Sequence, residues 1–285
     1  MKSIVFVIAA CALLTGWTVP ADAADSTIAK IKQTATLRLG YRENSPPFSF
    51  VGNDKLPRGY SVELCQAVAE DMARELKLTK LDLRWVAVSA QSRFEALKRG
   101  DIDLECGNTT HTLGRRADFD FSLMTFVDGA GLMFRLGERP TTLDEIKGQR
   151  VAVVVGTTTE KTLDDLVAAS KLGVRLLKVK DHDAAIAALK DKTATAYAAD
   201  RTVLIVTALA RGEGKSFELS DAQFTYEPYG LMMRRDADFR LAVDRTLARL
   251  YRSGEIEPIF QRWFAPLGDP GEALKALFLL NGLPE

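Results

Sequence analysis

Apolar positions along this chain alternate, drop to helical spacing and alternate again, in a repeating order. Leu37-Arg38-Leu39-Gly40-Tyr41 reads as a strand. The polar turn Arg42-Glu43-Asn44-Ser45 closes it, and Pro46 and Pro47 forbid a helix there. Phe48 and Phe50, read as wall and core, lead into a loop over 52–58. From Gly59 onward Val62, Cys65, Val68, Met72 and Leu76 form one helical stripe. Leu81 to Val88 alternates as a second strand. Ser89 opens a helix through Phe94 and Leu97 that Gly100 ends, and Ile102, Leu104 and Cys106 mark a third strand. The order βαβαβ predicts a parallel sheet covered by helices.

Residues 126–134 are extended and glycine-containing, and read as a crossing to a second unit. There the rhythm restarts. Arg150 to Val155 is a continuously apolar strand, expected to be buried on both faces, and Gly156 with three threonines precedes a helix carrying Leu163, Leu166 and Val167. A strand at 174–179, a helix at 183–189, a strand at 194–199 and a helix at 202–210 follow. Residues 224–233 read as the return crossing, and helices at 238–252 and 255–264, the second ending in a packed Trp263 and Phe264, close the chain. The pattern predicts an α/β lobe, a second α/β lobe inserted into it, and a return to the first.

The first residues stand outside this pattern. Lys2, an apolar run from Ile4 to Leu14 and Ala21-Asp22-Ala23 read as an export leader over 1–23, with the mature chain starting at Ala24. The run is shorter than the roughly 20 residues a membrane span requires. Of the 285 residues, 38 are Lys or Arg and 38 are Asp or Glu, so the net charge is zero. That argues against a nucleic acid or an anionic membrane as the main partner. Without the leader, Cys65 and Cys106 remain, both on apolar faces, where either two buried thiols or an export-compartment disulfide would fit. With two histidines, no C-x-x-C and no H-x-x-x-H, neither a zinc nor a thiol-redox site is expected.

Candidate chemistry gathers around D-I-D-L-E-C-G-N-T-T-H-T-L-G-R, residues 101–115. A strand is followed by Gly107, which permits a sharp turn, and by Asn108, Thr109 and Thr110, which are suited to capping a short helix. Free backbone N–H groups there would attract an anion, and Arg115 supplies a guanidinium fork that fits a carboxylate. Five further polar clusters follow expected strands: Arg42, Ser89 with Arg93, Thr157 to Thr159, Lys180 to Asp183, and Asp200. In open α/β sheets ligands sit off the carboxyl ends of strands, so six clusters from both units predict one shared cleft.

The segments Y-R-E-N-S-P-P-F-S-F, G-Y-S-V-E-L, A-Q-S-R, D-L-E-C-G-N-T-T, G-T-T-T-E, K-D-H-D and E-P-Y-G-L-M-M-R, in this order from about Thr27 to Phe264, resemble the solute-binding proteins of polar amino-acid ABC importers (family 3). The nearest likeness is to the glutamate/aspartate-binding branch. Ser61 stands where the wider family has an acidic residue, and Ala90 where that branch has a hydroxyl near the ligand side chain.

The resemblance implies a two-lobe periplasmic binding protein fold (type II), each lobe a mainly parallel sheet flanked by helices, joined by two hinge strands. Lobe 1 would take 24–128 and 229–285, and lobe 2 would take 129–228. It implies a monomeric periplasmic receptor that needs no cofactor and passes L-glutamate or L-aspartate to the membrane subunits of an ABC permease. By the same likeness Arg115 clamps the α-carboxylate with the Thr110 and Thr158 amides, while Asn108 and Thr110 accept from the α-ammonium. Asp200 would be the ammonium's counter-ion, against the alternative of a plain helix cap. Arg42 and Arg93, with His182, would take a second carboxylate, against the alternative of solvated surface charges. Two other classes are open: an enzyme resembling the cyclohexadienyl dehydratases, with Glu43, Glu105 or Glu160 as acid, and a sensory domain serving a separate signalling partner.

Overall fold

The computed structural model of the chain describes residues 26–140, 144–170 and 173–285; the expected leader over 1–23 lies outside them. After a short helix α1 (Thr27–Thr34), β1 (Thr36–Tyr41) is an interior strand of a first sheet. It pairs in parallel with β5 (Asp82–Ala87) and with β6 (Leu104–Glu105). Beyond β6 lies β13 (Glu227–Arg234), antiparallel to β6 and to β7 (Phe119–Asp128), in the order β5-β1-β6-β13-β7. Helices α2 (Tyr60–Glu75), α3 (Arg93–Arg99), α8 (Ala237–Ser253), α9 (Ile256–Phe264) and α10 (Glu272–Asn281) belong to this half, with the single turn α4 (Leu113–Arg116) beside β7.

The second sheet repeats the plan. Its order is β10 (Arg175–Val179), β9 (Arg150–Val154), β11 (Ala196–Asp200), β8 (Ala130–Arg135), β12 (Phe217–Leu219), and β8 alone runs against its neighbours. Helices α5 (Thr158–Ala169), α6 (His182–Lys190) and α7 (Arg201–Ala210) cover it. Val151 to Val154 are all buried, as a strand with parallel partners on both sides and helices on both faces requires.

The expected single crossing over 126–134 divides into two strands in different sheets: β7 ends at Asp128, Gly129 lies between, and β8 starts at Ala130. A Cβ on Gly129 would stand 2.8 Å from the Thr225 carbonyl of the return crossing, so glycine lets the two crossings touch. Below them Phe48 is fully buried and meets Tyr60, Phe126, Tyr229 and Phe264 edge-on. This aromatic block gives the crossings a stiff base.

The segment expected as a loop over 52–58 is pinned by a small antiparallel sheet of β2 (Asn44–Ser45), β3 (Ser49–Val51) and β4 (Pro57–Arg58). Strands of two or three residues are too short to display a period, which is why the pattern concealed them. Gly59, at φ +128°, starts α2 where any Cβ would fall 2.4 Å from the Phe48 carbonyl oxygen. The buried face of α2 carries Cys65 over the end of β6, and Cys65 and Cys106 are joined as a disulfide with Cα atoms 6.1 Å apart. Apolar surroundings thus hold a bridge and not two thiols, because both faces press on one layer. The bridge closes a separation of 41 residues. Replacing both cysteines by alanine should lower unfolding stability by about 2–4 kcal/mol, read as a lower denaturant midpoint in urea titrations.

Candidate functional site

Carboxyl ends of strands from both sheets face one another across the crossings, and the expected residues gather there. Arg42, Arg93, Asn108, Thr110, Thr158, His182 and Asp200 line one small cavity together with Val154, Thr157, Thr159, Ala198 and Ala199. Arg115 does not line the cavity itself. It stands behind Thr110, donating from Nη1 to the Thr110 carbonyl at 2.8 Å. Arg93 and Arg115 both lie against the Phe94 ring, 4.9 and 5.3 Å from its centroid.

Each side chain is placed by local structure. Arg42 follows β1 and its backbone N–H donates to the buried Ser49 hydroxyl. Ser89 and Ser92 exchange hydrogen bonds in a tight turn, which starts α3 and directs Arg93 inward. Thr157 caps α5, accepting from the Glu160 N–H, while the Glu160 carboxylate takes the Gly156 N–H. Thr158 and Thr159 therefore sit in the first turn, where N–H groups lack helical partners. His182 opens α6 and its Nδ1 pairs with the Tyr197 hydroxyl on β11.

One expectation changes, and one alternative falls away. Asn108 to Thr110 do not cap the following helix. Thr112 does, accepting from the Arg115 N–H, because Thr109 to His111 are drawn into extended pairing beside β13. Asp200 occupies the cap position of α7 without capping it by its side chain. Its carboxylate accepts instead from the Tyr229 hydroxyl and, at 3.5 Å, from the Thr159 hydroxyl.

The charges are dense. Arg42 and Arg93 are each 3% exposed. Burial, then the Arg93 charge, bring Arg42 down to about 10 and Arg115 to about 9, so both keep their charge at neutral pH. Arg93 is lowered by burial as well, with Glu105 and Asp200 opposing. Burial and the Arg42 charge bring His182 to about 3, which makes its ring neutral. Burial, then the charges of Asp128 and Glu227, push the Asp200 carboxyl well above the usual range, and Asp128 moves the same way.

Sequence reading named Glu105 only as an enzyme's acid and missed Asp128 and Glu227. Glu105, Asp128 and Glu227 all lie within electrostatic reach of Arg115 or Asp200. Glu227 accepts from both Thr110 and Thr158, Glu105 accepts from Thr109, and Asp128 accepts from the Gly129 and Thr202 N–H groups. The available signal was an acid within an apolar strand, as in Leu104-Glu105-Cys106 and Phe126-Val127-Asp128.

The halves are closed upon each other. Ala90, from the first half, is fully buried in the second half's core with Met133, Ala152 and Val154. Gly156, at φ +79°, meets it so closely that a Cβ would come 2.9 Å from the Ala90 carbonyl oxygen, and Arg93 Nη2 donates to the Gly156 carbonyl at 3.4 Å. The cavity has a volume of about 20 Å³, room for roughly one water. Arg93 Nε, Glu105 Oε1 and Asn108 Oδ1 are buried without a hydrogen-bond partner. Such atoms favour a polar guest over an apolar one. Among the described residues no group of three or more His, Cys, Asp or Glu is arranged to hold a metal ion.

The family model of the bacterial extracellular solute-binding proteins, family 3, matches residues 37–266. An L-glutamate/L-aspartate-binding protein of Pseudomonas aeruginosa is 34% identical over 248 residues, covering 86% of this chain and 82% of that protein. A glutamate/aspartate import solute-binding protein of Salmonella typhimurium is 33% identical over 245 residues, covering 86% and 81%. A crystal structure of a variant of ArgBP from T. maritima superposes with a TM-score of 0.72 at 26% identity, covering 84% of this chain and 99% of that one.

The raised pKa of Asp200 has a signed consequence. In the folded state it binds its proton above the unfolded value of about 3.9, so its contribution to stability is full below that pH and is lost as pH rises through the folded value. Asp200→Asn should therefore gain stability relative to wild type as pH increases from 4 to 8, read as the difference between their thermal midpoints. A constant difference across that range would refute the buried-acid assignment.

Proposed function

The chain belongs to the bacterial extracellular solute-binding proteins, family 3, with the two-lobe periplasmic binding protein fold (type II), and on that premise we propose that it captures an acidic L-amino acid, glutamate or aspartate, for an ABC permease. The observation that carries this reading is the meeting of Arg42, Arg93, Asn108, Thr110, Thr158, His182 and Asp200, drawn from both halves, around one cavity. One carboxylate requires one guanidinium fork, and two arginines on the cavity wall with Arg115 behind Thr110 imply a second negative group.

Each group then has a role. Arg115, fixed by the Thr110 carbonyl, clamps the α-carboxylate together with the Thr110 and Thr158 N–H groups. Asn108 and Thr110 accept from the α-ammonium, and Asp200 is its counter-ion, ionising as the ammonium arrives. Arg42 and Arg93 take the side-chain carboxylate. Neutral His182, whose Nδ1 pairs with the Tyr197 hydroxyl, adds a third donor in the tautomer that carries its proton on Nε2. Several charge-assisted bonds of about 1.5–3 kcal/mol each suffice for the roughly 8 kcal/mol of micromolar binding.

The same reading divides the chain into lobes of 24–128 with 229–285 and of 129–228. Its support is that β7 and β8 part company at Gly129 and β13 re-enters the first sheet at the return crossing. It also makes residues 1–23 an export leader and the receptor a monomer. Binding is favoured over catalysis because none of Glu43, Glu105 and Glu160, the acids weighed for an enzyme, lines the cavity. Glu43 is exposed, Glu160 pairs with Lys178 at 3.1 Å, and Glu105 is bound to Thr109. No helix of the described residues is long and apolar enough to cross a membrane, so a signalling role would need a separate partner.

A thermal-shift screen of the common amino acids against the exported chain, with a control for turnover of prephenate and arogenate, tests the function; stabilisation by neutral or basic amino acids alone would refute it. In calorimetry Arg115→Ala should weaken every amino acid by at least about a hundredfold. Arg93→Ala should weaken glutamate by about 10- to 100-fold and glutamine by less than about threefold. Equal losses for the two ligands would remove Arg93 from the side-chain site.

A further inference from the structure

Glu227 is the first residue of β13, at the point where the chain returns to the first lobe. It is 1% exposed, and one oxygen of its carboxylate accepts twice, from Thr110 Oγ1 at 2.5 Å and from Thr158 Oγ1 at 2.6 Å. Thr110 belongs to the first lobe's post-β6 segment and Thr158 opens α5 in the second. One buried carboxylate thus ties the two lobes at their hinge end, through side chains alone.

Proton counting takes this further. A carboxylate oxygen offers only lone pairs, and each threonine hydroxyl has a single proton. Both protons are committed to Glu227, so the 3.1 Å separation of the two threonine oxygens is an approach without a proton between them. What Thr110 and Thr158 present to the cavity is then lone pairs. A guest group beside them must donate. An α-ammonium, with three N–H bonds, meets that demand better than an α-hydroxyl with one.

We propose that Glu227 is a positioning residue with two linked effects: it clasps the lobes through Thr110 and Thr158, and it makes both hydroxyls acceptors, which selects an α-ammonium over an α-hydroxyl. The second effect rests on reading the cavity as the seat of an amino acid. The first does not depend on the ligand.

The test uses the full exported chain with Glu227→Ala, Glu227→Gln and Thr158→Val, each first shown to be folded by circular dichroism. Small-angle scattering without ligand reads the clasp. Glu227→Ala and Thr158→Val should both shift the protein toward a larger radius of gyration, and the double variant should add nothing to Glu227→Ala. Should Glu227→Ala not fold, Thr158→Val carries this arm. Variants as compact as wild type overturn the clasp.

Calorimetry with L-glutamate and L-2-hydroxyglutarate reads the polarity. The preference for the amine should fall about tenfold in Glu227→Ala and stay near wild type in Glu227→Gln, whose amide oxygen still accepts both hydroxyls. An equal fall in both variants would assign the effect to charge and overturn the polarity claim, as would equal weakening of the two ligands. If wild type binds neither compound, the acidic-amino-acid reading fails while the scattering result stands.

Discussion

Two buried guanidinium groups, Arg42 and Arg93, with the half-buried Arg115 near them, keep their charge at neutral pH in this molecule, and the rest of the cleft answers to that condition. An uncompensated buried ion costs several kcal/mol, and two like ions close together cost more. The compensation is a set of nearby acids. Glu105 lies behind Arg42 and Arg93, Glu227 and Asp200 act on Arg115, and Asp128 stands beyond Asp200. Burial first, and then the repulsion of these acids for one another, make Asp200 and Asp128 hold protons well above the range of ordinary carboxyls. A site of this kind is poised and not relaxed. It tolerates its own charges through repulsions that a guest carrying two carboxylates and one ammonium would relieve.

The topology makes such crowding possible. No single α/β sheet brings so many strand ends to one point, because only strands beside a reversal of order open a crevice. Two sheets facing each other double the supply. Each contributes its carboxyl ends, and the two crossings keep them apart or together. The fixed side is the aromatic block of Phe48, Tyr60, Phe126 and Phe264 beneath the crossings. The disulfide ties α2 to the end of β6 in the same lobe, so the strands bearing Arg42 and Asn108 share one rigid frame. The closing side is the contact of Gly156 with Ala90 and Gln91, where the absence of a Cβ permits an approach that other residues would block.

Much of this was legible in the sequence wherever periodicity is long enough to declare itself. The α2 stripe, the apolar run of β9 and the return helices belong to that class. Arg42, directly after β1, was legible as a cleft candidate from its place in an open α/β fold, whereas the inward role of Arg93 and Arg115 came with the family resemblance and not from their own positions. Three things were not. Strands of two or three residues carry no period, so β2, β3, β4 and the brevity of β6 were hidden. The capping role of Thr112, and not Asn108 to Thr110, depends on a bridge to Tyr229, more than a hundred residues away. Glu105, Asp128 and Glu227 sit at the ends of strands, where an acid looks like a solvent-facing position unless the burial of both faces is known. Cys65 and Cys106 belong to the same difficulty, because two apolar faces reveal nothing of whether they oppose each other until the layers are assembled.

The smallness of the cavity bears on how such a receptor gains affinity. A volume of about 20 Å³ does not admit an amino acid, so entry requires the lobes to part and the arginines to move. Before that, Arg93 donates to the Gly156 carbonyl and Arg115 to the Thr110 carbonyl, bonds that a guest's carboxylates would supplement or replace. Ligand contacts are therefore exchanged for internal ones and not simply added to them. What remains as net affinity is the difference between a carboxylate and a neutral carbonyl as partner for each guanidinium, together with the relief of repulsion among the acids when an ammonium arrives. Both terms are large for a ligand charged at both ends and small for a neutral one. A cleft filled by its own charges thus discriminates by what the guest neutralises, more than by the room it finds.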